Sequence, residues 1–113
     1  MTSIKRRTAV LAATAGAFLT VLGSASTASA AVPTYPTAPG VRVNVRNGPG
    51  TGYGIVRVLP EDTRVPIYCQ TPGTTVSGYY GTSNIWDNID NGEYVSDAYV
   101  NTGSDGYIAS RCA

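Results

Sequence analysis

The segment from Val41 to Tyr53 constrains the fold of this chain more than any other part of it. Apolar and polar residues alternate over Val41-Arg-Val-Asn-Val-Arg46, the period of two that places successive side chains on opposite faces of a β-strand. The next residues, Asn47-Gly-Pro-Gly50, supply the positive φ values and the fixed proline φ of a tight reversal. The segment therefore predicts a strand followed at once by a turn.

The first thirty residues have the pattern of an export signal. Lys5-Arg-Arg7 precedes the apolar stretch Thr8–Gly23, and Ala28-Ser-Ala30 matches a signal-peptidase site. The apolar stretch is shorter than the roughly 20 residues of a membrane-spanning helix, so we predict a secretory signal peptide over residues 1–30. The paired arginines keep twin-arginine export open beside the general route. We expect a secreted protein, extracellular or associated with the cell wall, and not embedded in a membrane after cleavage.

The charge of the remaining chain excludes some partners. Residues 31–113 contain five arginines, no lysine or histidine, and seven acidic residues, which gives a net charge of −2. A nucleic-acid-binding protein needs a basic surface that displaces counterions from phosphates. A polybasic patch for anionic lipid is absent from the sequence as well. We expect no nucleic-acid partner.

A proline-rich segment precedes the alternating strand. Residues 31–40 carry Pro33, Pro36 and Pro39 among Thr and Ala, which favours an extended, polyproline-like conformation. We predict a surface linker over residues 31–40 and one domain over residues 41–113. Such a linker is also a potential ligand for an SH3-type domain.

The two cysteines, Cys69 and Cys112, are the only ones in the chain. Export places them in an oxidising compartment, where a disulfide is favoured over two free thiols. A metal site would need more ligands than two cysteines without histidine can supply. We predict a Cys69–Cys112 disulfide, and we expect no metal and no cofactor.

The rest of the chain consists of short apolar or alternating runs separated by turn residues. Thr71-Pro-Gly73 and Asp90-Asn-Gly92 are the clearest turn signals. No helical period of useful length occurs, so the pattern predicts a small all-β barrel or sandwich. Its predicted strands beyond Arg46 are Ile55–Leu59, Thr63–Cys69, Ile85–Ile89, Glu93–Val100 and Tyr107–Cys112.

Three segments resemble the bacterial SH3 (SH3b) domain family. Val43-Asn-Val-Arg-Asn-Gly-Pro-Gly-Thr-Gly-Tyr53 is similar to the family's L-N-V-R-S-G-P-G-T-x-Y. Leu59-Pro-Glu-Asp-Thr-Arg-Val65 is similar to L-x-x-G-T-x-V, with Asp62 in place of the glycine. Trp86-Asp-Asn-Ile89 and Asn91-Gly-Glu-Tyr-Val-Ser-Asp-Ala-Tyr-Val100 are similar to W-x-x-V and G-x-x-G-Y-V-x-x-x-Y-L. The resemblance implies a small SH3-like β-barrel, here with a disulfide-tethered C-terminal strand. The Gln70–Asn84 connection and the Asn101–Ala113 tail depart from the family pattern.

The resemblance also implies a non-catalytic module that binds peptidoglycan, through its peptide or its glycan, or another cell-wall component. SH3b ligands occupy grooves lined by aromatic and polar side chains, and Tyr and Trp suit recognition surfaces. Trp86 and Tyr99 are interpreted first as core aromatics, whereas Tyr79 and Tyr80, in the glycine-rich loop Val76–Asn84, are expected to be exposed. A secreted inhibitor or toxin-like protein that binds another secreted protein is the alternative, with Thr71–Thr82 as its contact loop. The candidate ligand-binding residues are Tyr79, Tyr80, Trp86, Asn88, Tyr94, Asp97 and Tyr99.

Catalysis has little support in the sequence. The chain has no histidine to act as a general base, and both cysteines are predicted to be oxidised. Asp87, Asp90, Glu93 and Asp97 are the carboxylates from which a glycosidase-like pair would have to come. A hairpin turn at Asp90 with the other acids facing solvent explains them better. The segment Asp87–Glu93 lacks the spacing of a calcium loop. We therefore predict a protein without enzymatic activity.

Overall fold

The computed structural model describes residues 31–113, so the predicted signal peptide over residues 1–30 lies outside the described part. Among the described residues no helix is long and apolar enough to span a bilayer. The described chain forms strands β1 (Thr34–Pro36), β2 (Val43–Arg46), β3 (Ile55–Leu59), β4 (Arg64–Pro66), β5 (Cys69–Gly78), β6 (Gly81–Asp90) and β7 (Glu93–Ser96), and a 3-10 turn at Asp97–Tyr99.

The strands form two antiparallel sheets. Five strands pair in the order β3-β2-β7-β6-β5, and β1 pairs with β4. The prediction of an all-β fold with a Cys69–Cys112 disulfide is confirmed. Strands β3 and β5 are the two edges of the larger sheet. The strand pairing within residues 31–113 does not join these edges into a closed barrel.

The alternating segment at Val41 forms an interior strand of this sheet. Strand β2 pairs with β3 on one side and β7 on the other. Val43 and Val45 are buried, whereas Arg42 and Asn44 between them are exposed, as the period of two predicts. The valines pack into one apolar cluster, and burial of each such side chain contributes about 1.5–3 kcal/mol. The cluster consists of Val43, Val45, Leu59, Val65, Ile67, Ile89, Val95 and Val100.

The proline-rich segment is extended, as predicted, but it is not a linker outside the domain. Strand β1 pairs with β4, and the Thr37 amide donates a hydrogen bond of 2.8 Å to the Thr63 carbonyl. The amide of Ala38 likewise donates to the Tyr99 carbonyl at 2.9 Å, and Thr37 and Ala38 are buried. The domain boundary predicted at residue 41 is therefore too late, because backbone pairing and burial include this segment in the compact unit Val32–Ala113.

The predicted turn at Thr71-Pro-Gly73 does not reverse the chain. Strand β5 continues through it with a bulge between Pro72 and Val76, which accommodates a proline and a glycine within a strand. The reversal comes at Tyr79-Tyr80, so β5 and β6 form a long hairpin instead of the glycine-rich loop that the sequence suggests. The second hairpin is confirmed: β6 ends at Asp90, β7 begins at Glu93, and Gly92 has a φ of +70°.

The C-terminal region contains less strand than predicted. Strand β7 stops at Ser96, whose hydroxyl accepts a hydrogen bond from the Ala98 amide and caps the 3-10 turn. The predicted strand Tyr107–Cys112 is reduced to a single parallel bridge between Gln70 and Arg111. The tail is instead held by the disulfide and by Gln70, which forms hydrogen bonds with several backbone groups of the tail.

Candidate functional site

A pocket of about 260 Å³ opens on the five-stranded sheet. Cross-strand pairs identify its side of the sheet. Asp87 pairs across the strands with Val95, whose side chain belongs to the apolar core. Because neighbouring positions on a strand point to opposite faces, the next cross-strand pair, Trp86 and Ser96, points away from that core. Asn44 lies between the buried Val43 and Val45 of β2, so its side chain also points away from the core. Trp86, Ser96 and Asn44 therefore line the pocket from the face opposite the apolar cluster, whereas Val43, which also lines it, belongs to that cluster.

Trp86 forms the floor of the pocket and is held rigidly. Its side chain is 2% exposed, and its indole Nε1 donates a hydrogen bond of 2.9 Å to the Thr74 carbonyl. The bulge in β5 covers the ring from one side, since Gly73 lies against both Trp86 Cδ1 and the Pro49 carbonyl. Its burial agrees with the interpretation of Trp86 as a core aromatic, with one edge lining the pocket.

Replacement of Gly73 by alanine is expected to destabilise the protein by about 1–3 kcal/mol, the usual range for overpacking. A Cβ atom at Gly73 would overlap the backbone carbonyl of Pro49 and approach Trp86 Cδ1 to 2.8 Å, so the bulge or the turn must move. Chemical denaturation followed by the fluorescence of Trp86, the only tryptophan, measures the change. Gly52→Ala is the control, because a Cβ there meets no atom within 4 Å; equal stability of the two variants would contradict this packing.

Arg46 braces the turn beside the pocket. Its Nη1 donates hydrogen bonds to the carbonyls of Tyr53 at 2.8 Å and Thr51 at 3.3 Å. The Thr51 amide in turn donates to the Thr74 hydroxyl at 3.1 Å, which joins the turn to the bulge of β5. Arg46 is thus a structural residue with one side facing the pocket.

Arg42 and Asn44 line the same pocket without such a role. Both side chains are exposed. Within residues 31–113 the Arg42 guanidinium forms no hydrogen bond, and it forms no ion pair either, because the one ion pair in this part of the chain joins Arg57 to Glu93. No acidic residue lines the pocket. Sequence reasoning did not select Arg42 or Asn44, although their alternation with buried valines indicates that they face away from the core.

Tyr99 connects the pocket to the tip of the β5–β6 hairpin. Its ring lines the pocket and also packs against Gly78. The Tyr80 amide donates to the Ala98 carbonyl at 2.9 Å, which fixes the tip beside the 3-10 turn. The rings of Tyr79 and Tyr80 meet edge to face with centroids 4.8 Å apart, and they are 56% and 37% exposed. The prediction that this pair is exposed is confirmed.

Asn88 and Tyr94 are cross-strand partners that do not line the pocket. The side-chain Nδ2 of Asn88 donates hydrogen bonds to the backbone carbonyls of Asp90 at 2.8 Å and Glu93 at 3.3 Å, so Asn88 stabilises the β6–β7 turn. The sequence-derived set is therefore divided. Trp86 and Tyr99 line the pocket, whereas Tyr79 and Tyr80 form the hairpin tip outside it, and Tyr80 lines a small separate depression with Asp97. Asn88 and Tyr94 lie further toward the β6–β7 turn, with Tyr94 opposite Arg46.

Asp97 is buried against Asp87 on the other side of the sheet. Gln70 Nε2 donates to Asp87 Oδ1 at 2.7 Å, and Gln70 Oε1 accepts from the amides of Ile108 and Ala109. Asp87 Oδ2 and Asp97 Oδ1 are buried and have no hydrogen-bond partner within the described chain. A proton on one of the two carboxyls would allow it to donate to the other. Burial and the adjacent Asp97 raise the pKa of Asp87 to about 9.

The pKa of Asp97 is also raised, mainly by burial and further by Asp105, while the hydrogen bond from Asp87 opposes the rise. The other two carboxylates of the predicted set have different surroundings: Asp90 accepts from the Asn91 amide, and Glu93 pairs with Arg57 at 2.8 Å. Within residues 31–113 no group of three or more metal-ligating side chains occurs.

The exposed edge of the sheet is a further feature that sequence reasoning missed. Ile55, Val56 and Val58 of β3 are exposed, and β3 pairs only with β2. The apolar run Ile55–Leu59 predicts a strand correctly, but only Leu59 is buried. Exposed apolar side chains on an unpaired edge mark a surface where another strand can add.

Comparison with known proteins identifies close relatives of this chain. It is 50% identical over 88 residues to the uncharacterized protein YraI of Bacillus subtilis strain 168, an alignment that covers 71% of this chain and 74% of YraI. It is 52% identical over 87 residues to the uncharacterized protein YraJ of the same organism, covering 70% of this chain and 74% of YraJ. No family model matches the sequence.

Proposed function

The chain belongs to the family of the Bacillus subtilis proteins YraI and YraJ, and we propose that it is an exported, non-catalytic module that binds the peptidoglycan of the bacterial cell wall. The observation that carries this proposal is the pocket lined by Trp86 and Tyr99, together with the exposed pair Tyr79 and Tyr80 at the tip of the hairpin that packs on Tyr99. Rigid aromatic side chains provide wide contact area at low entropic cost.

The proposal includes an SH3b-like fold and a location outside the cell. Asp62, which stands where the SH3b pattern has glycine, has a φ of +56°, a conformation that glycine adopts most easily. This supports the resemblance at a position where the residues themselves differ. The disulfide suits an oxidising compartment and thus supports export.

Tyr79→Ala together with Tyr80→Ala is expected to reduce the fraction of protein that sediments with insoluble peptidoglycan by about tenfold, because each ring loses its contact area with the ligand. The rings are exposed, so the free energy of unfolding should change by no more than about 0.5 kcal/mol. The assay compares bound and free protein after centrifugation, with denaturation curves for each variant.

Tyr68→Ala is the matched control. Tyr68 is 53% exposed, comparable to Tyr79, and it precedes β5 at the end of the hairpin remote from the tip. It should sediment as the unchanged protein does. If the unchanged protein stays in the supernatant at low and moderate salt, wall binding is wrong; if the Tyr68 variant loses as much binding as the double variant, the site is wrong.

A second candidate function is favoured by the exposed edge strand β3, which offers Ile55, Val56 and Val58 to a protein partner. An extended segment of a secreted protein would add to this edge through backbone hydrogen bonds, as an inhibitor or toxin-like protein requires. Val56→Lys would then abolish a complex recovered from culture medium and leave peptidoglycan sedimentation unchanged.

A further inference from the structure

The charged side chains that line the pocket are all positive. Residues 31–113 carry a net charge of −2 with only five arginines. Two of them, Arg42 and Arg46, line the pocket, and no acidic side chain does. A concave site with one sign of charge raises the local concentration of ligands of the opposite sign. The pocket is thus suited to an anion, although the domain as a whole is acidic.

Arg42 is the cation that remains available for a ligand. Arg46 is engaged by two backbone carbonyls. The remaining three arginines also have partners: Arg57 binds Glu93, Arg64 donates to Thr34, and Arg111 lies over the Tyr107 ring. Arg42 also lines a second, open surface depression together with Glu61, but the two side chains form no ion pair. Arg42 therefore presents an unpaired guanidinium to the solvent.

The other pocket residues restrict the shape of the anion. A guanidinium fork matches a planar carboxylate through two parallel hydrogen bonds, and the exposed amide of Asn44 offers another donor on the same face. Val76, Tyr99 and one edge of the Trp86 floor form an apolar wall of the same pocket. The volume is at the small end for ligand pockets. A small group with one carboxylate and a short apolar side chain fits this combination.

We propose that the pocket binds the free C-terminal carboxylate of a short cell-wall peptide, with Arg42 as its anchor, Asn44 as a second donor and the apolar wall against the terminal side chain. This inference rests on the proposed function, because it specifies which part of peptidoglycan the module recognises. The aromatic pair at the hairpin tip then contacts the neighbouring part of the same polymer.

Two matched soluble probes test the inference: N-acetyl-alanyl-alanine with a free carboxylate, in its D and L forms, and the same peptides with a C-terminal amide. Titration followed by the NMR signal of the Trp86 indole measures Kd for each. The free acid should bind at least tenfold more tightly than the amide, the loss expected when a charge-assisted hydrogen-bonded pair is removed. Arg42→Gln should remove this preference.

Arg57→Gln is the control variant, because Arg57 is an exposed arginine on the adjacent strand, outside the pocket; its Kd should stay within about twofold of the original value. Equal binding of acid and amide, unchanged binding by the Arg42 variant, or no binding of the acid overturns the inference. Inorganic phosphate is the third probe, and tighter binding of phosphate than of the peptide acid would overturn the carboxylate assignment.

The same variants separate this inference from the proposed function. If Arg42→Gln sediments fully with peptidoglycan while the double tyrosine variant does not, wall binding stands and the carboxylate site is wrong. If the unchanged protein fails to sediment but binds the peptide acid through Arg42, the pocket assignment stands and the wall function is wrong.

Discussion

Asp87→Asn is expected to raise the free energy of unfolding above pH 7 and to flatten its dependence on pH between about 4 and 9. In the folded protein burial beside Asp97 raises the pKa of Asp87 to about 9, whereas in the unfolded chain an aspartate has a pKa of about 3.9. Between these values the folded state holds a proton that the unfolded state has lost.

The direction of the pH effect follows from proton binding. Because the unfolded state binds fewer protons in this window, the free energy of unfolding falls as pH rises, by at most about 1.4 kcal/mol per pH unit for one proton. The contribution of Asp87 to the free energy of unfolding is fully present below about pH 4, the pKa of the unfolded chain, and is lost as the pH rises through the pKa of Asp87 in the folded protein. Within the pair Asp97 opposes a negative charge on Asp87, and Asp105 opposes one on Asp97.

Asparagine reproduces the protonated acid at this position. Its oxygen accepts from Gln70 as Asp87 Oδ1 does, and its amide nitrogen donates to Asp97 without a titrating proton. Urea denaturation at several pH values measures the effect, with Asp90→Asn as control because Asp90 is exposed in the β6–β7 turn. A steep pH dependence that persists in Asp87→Asn, or a large loss of stability in that variant at pH 7, would contradict the shared proton.

Loss of the Cys69–Cys112 disulfide is expected to lower the free energy of unfolding by about 4 kcal/mol. The bridge closes a loop with a sequence separation of 43, and the chain entropy of a loop of this length gives that magnitude. It also fixes the tail next to Gln70, whose backbone carbonyl accepts from Cys112 and whose amide donates to Ser110. Denaturation of the protein with and without a thiol reductant measures the difference.

The variant with Cys69→Ala and Cys112→Ala separates the bond from side effects of the reductant. It should match the reduced protein and should become more susceptible to proteolysis within the tail, near Ile108 and Ala109. If the double variant unfolds at the same urea concentration as the oxidised protein, the tail is held by Gln70 alone and the disulfide contributes little.

Local sequence predicts those parts of the fold that depend on near neighbours. The alternation over Val41–Arg46 predicts a strand with its buried side, and Asp90-Asn-Gly92 predicts a hairpin, because side-chain period and turn geometry are local properties. The exposure of Tyr79 and Tyr80 is predictable for a similar reason, since glycines flank them in a polar segment. The disulfide follows from the presence of two cysteines and a predicted export signal.

The parts that sequence does not predict depend on contacts between distant segments. Thr71-Pro-Gly73 has turn residues, yet it stays within β5 because its bulge docks on Trp86 and on the Pro49 turn. Arg42 reaches the pocket only because β2 lies between β3 and β7, an order that no local pattern contains. The Asp87–Asp97 contact likewise requires the register of β6 with β7.

NMR spectra of the 15N-labelled protein, recorded with and without soluble peptidoglycan fragments, test whether the sheet face around Trp86 binds the wall polymer. The protein has a single indole N–H signal, that of Trp86, so the pocket floor has its own reporter. We predict that this signal and the amide signals of Arg42, Asn44, Tyr79 and Tyr99 shift together and saturably. Spectra that stay unchanged, or shifts confined to Ile55–Leu59 at the sheet edge, would contradict it.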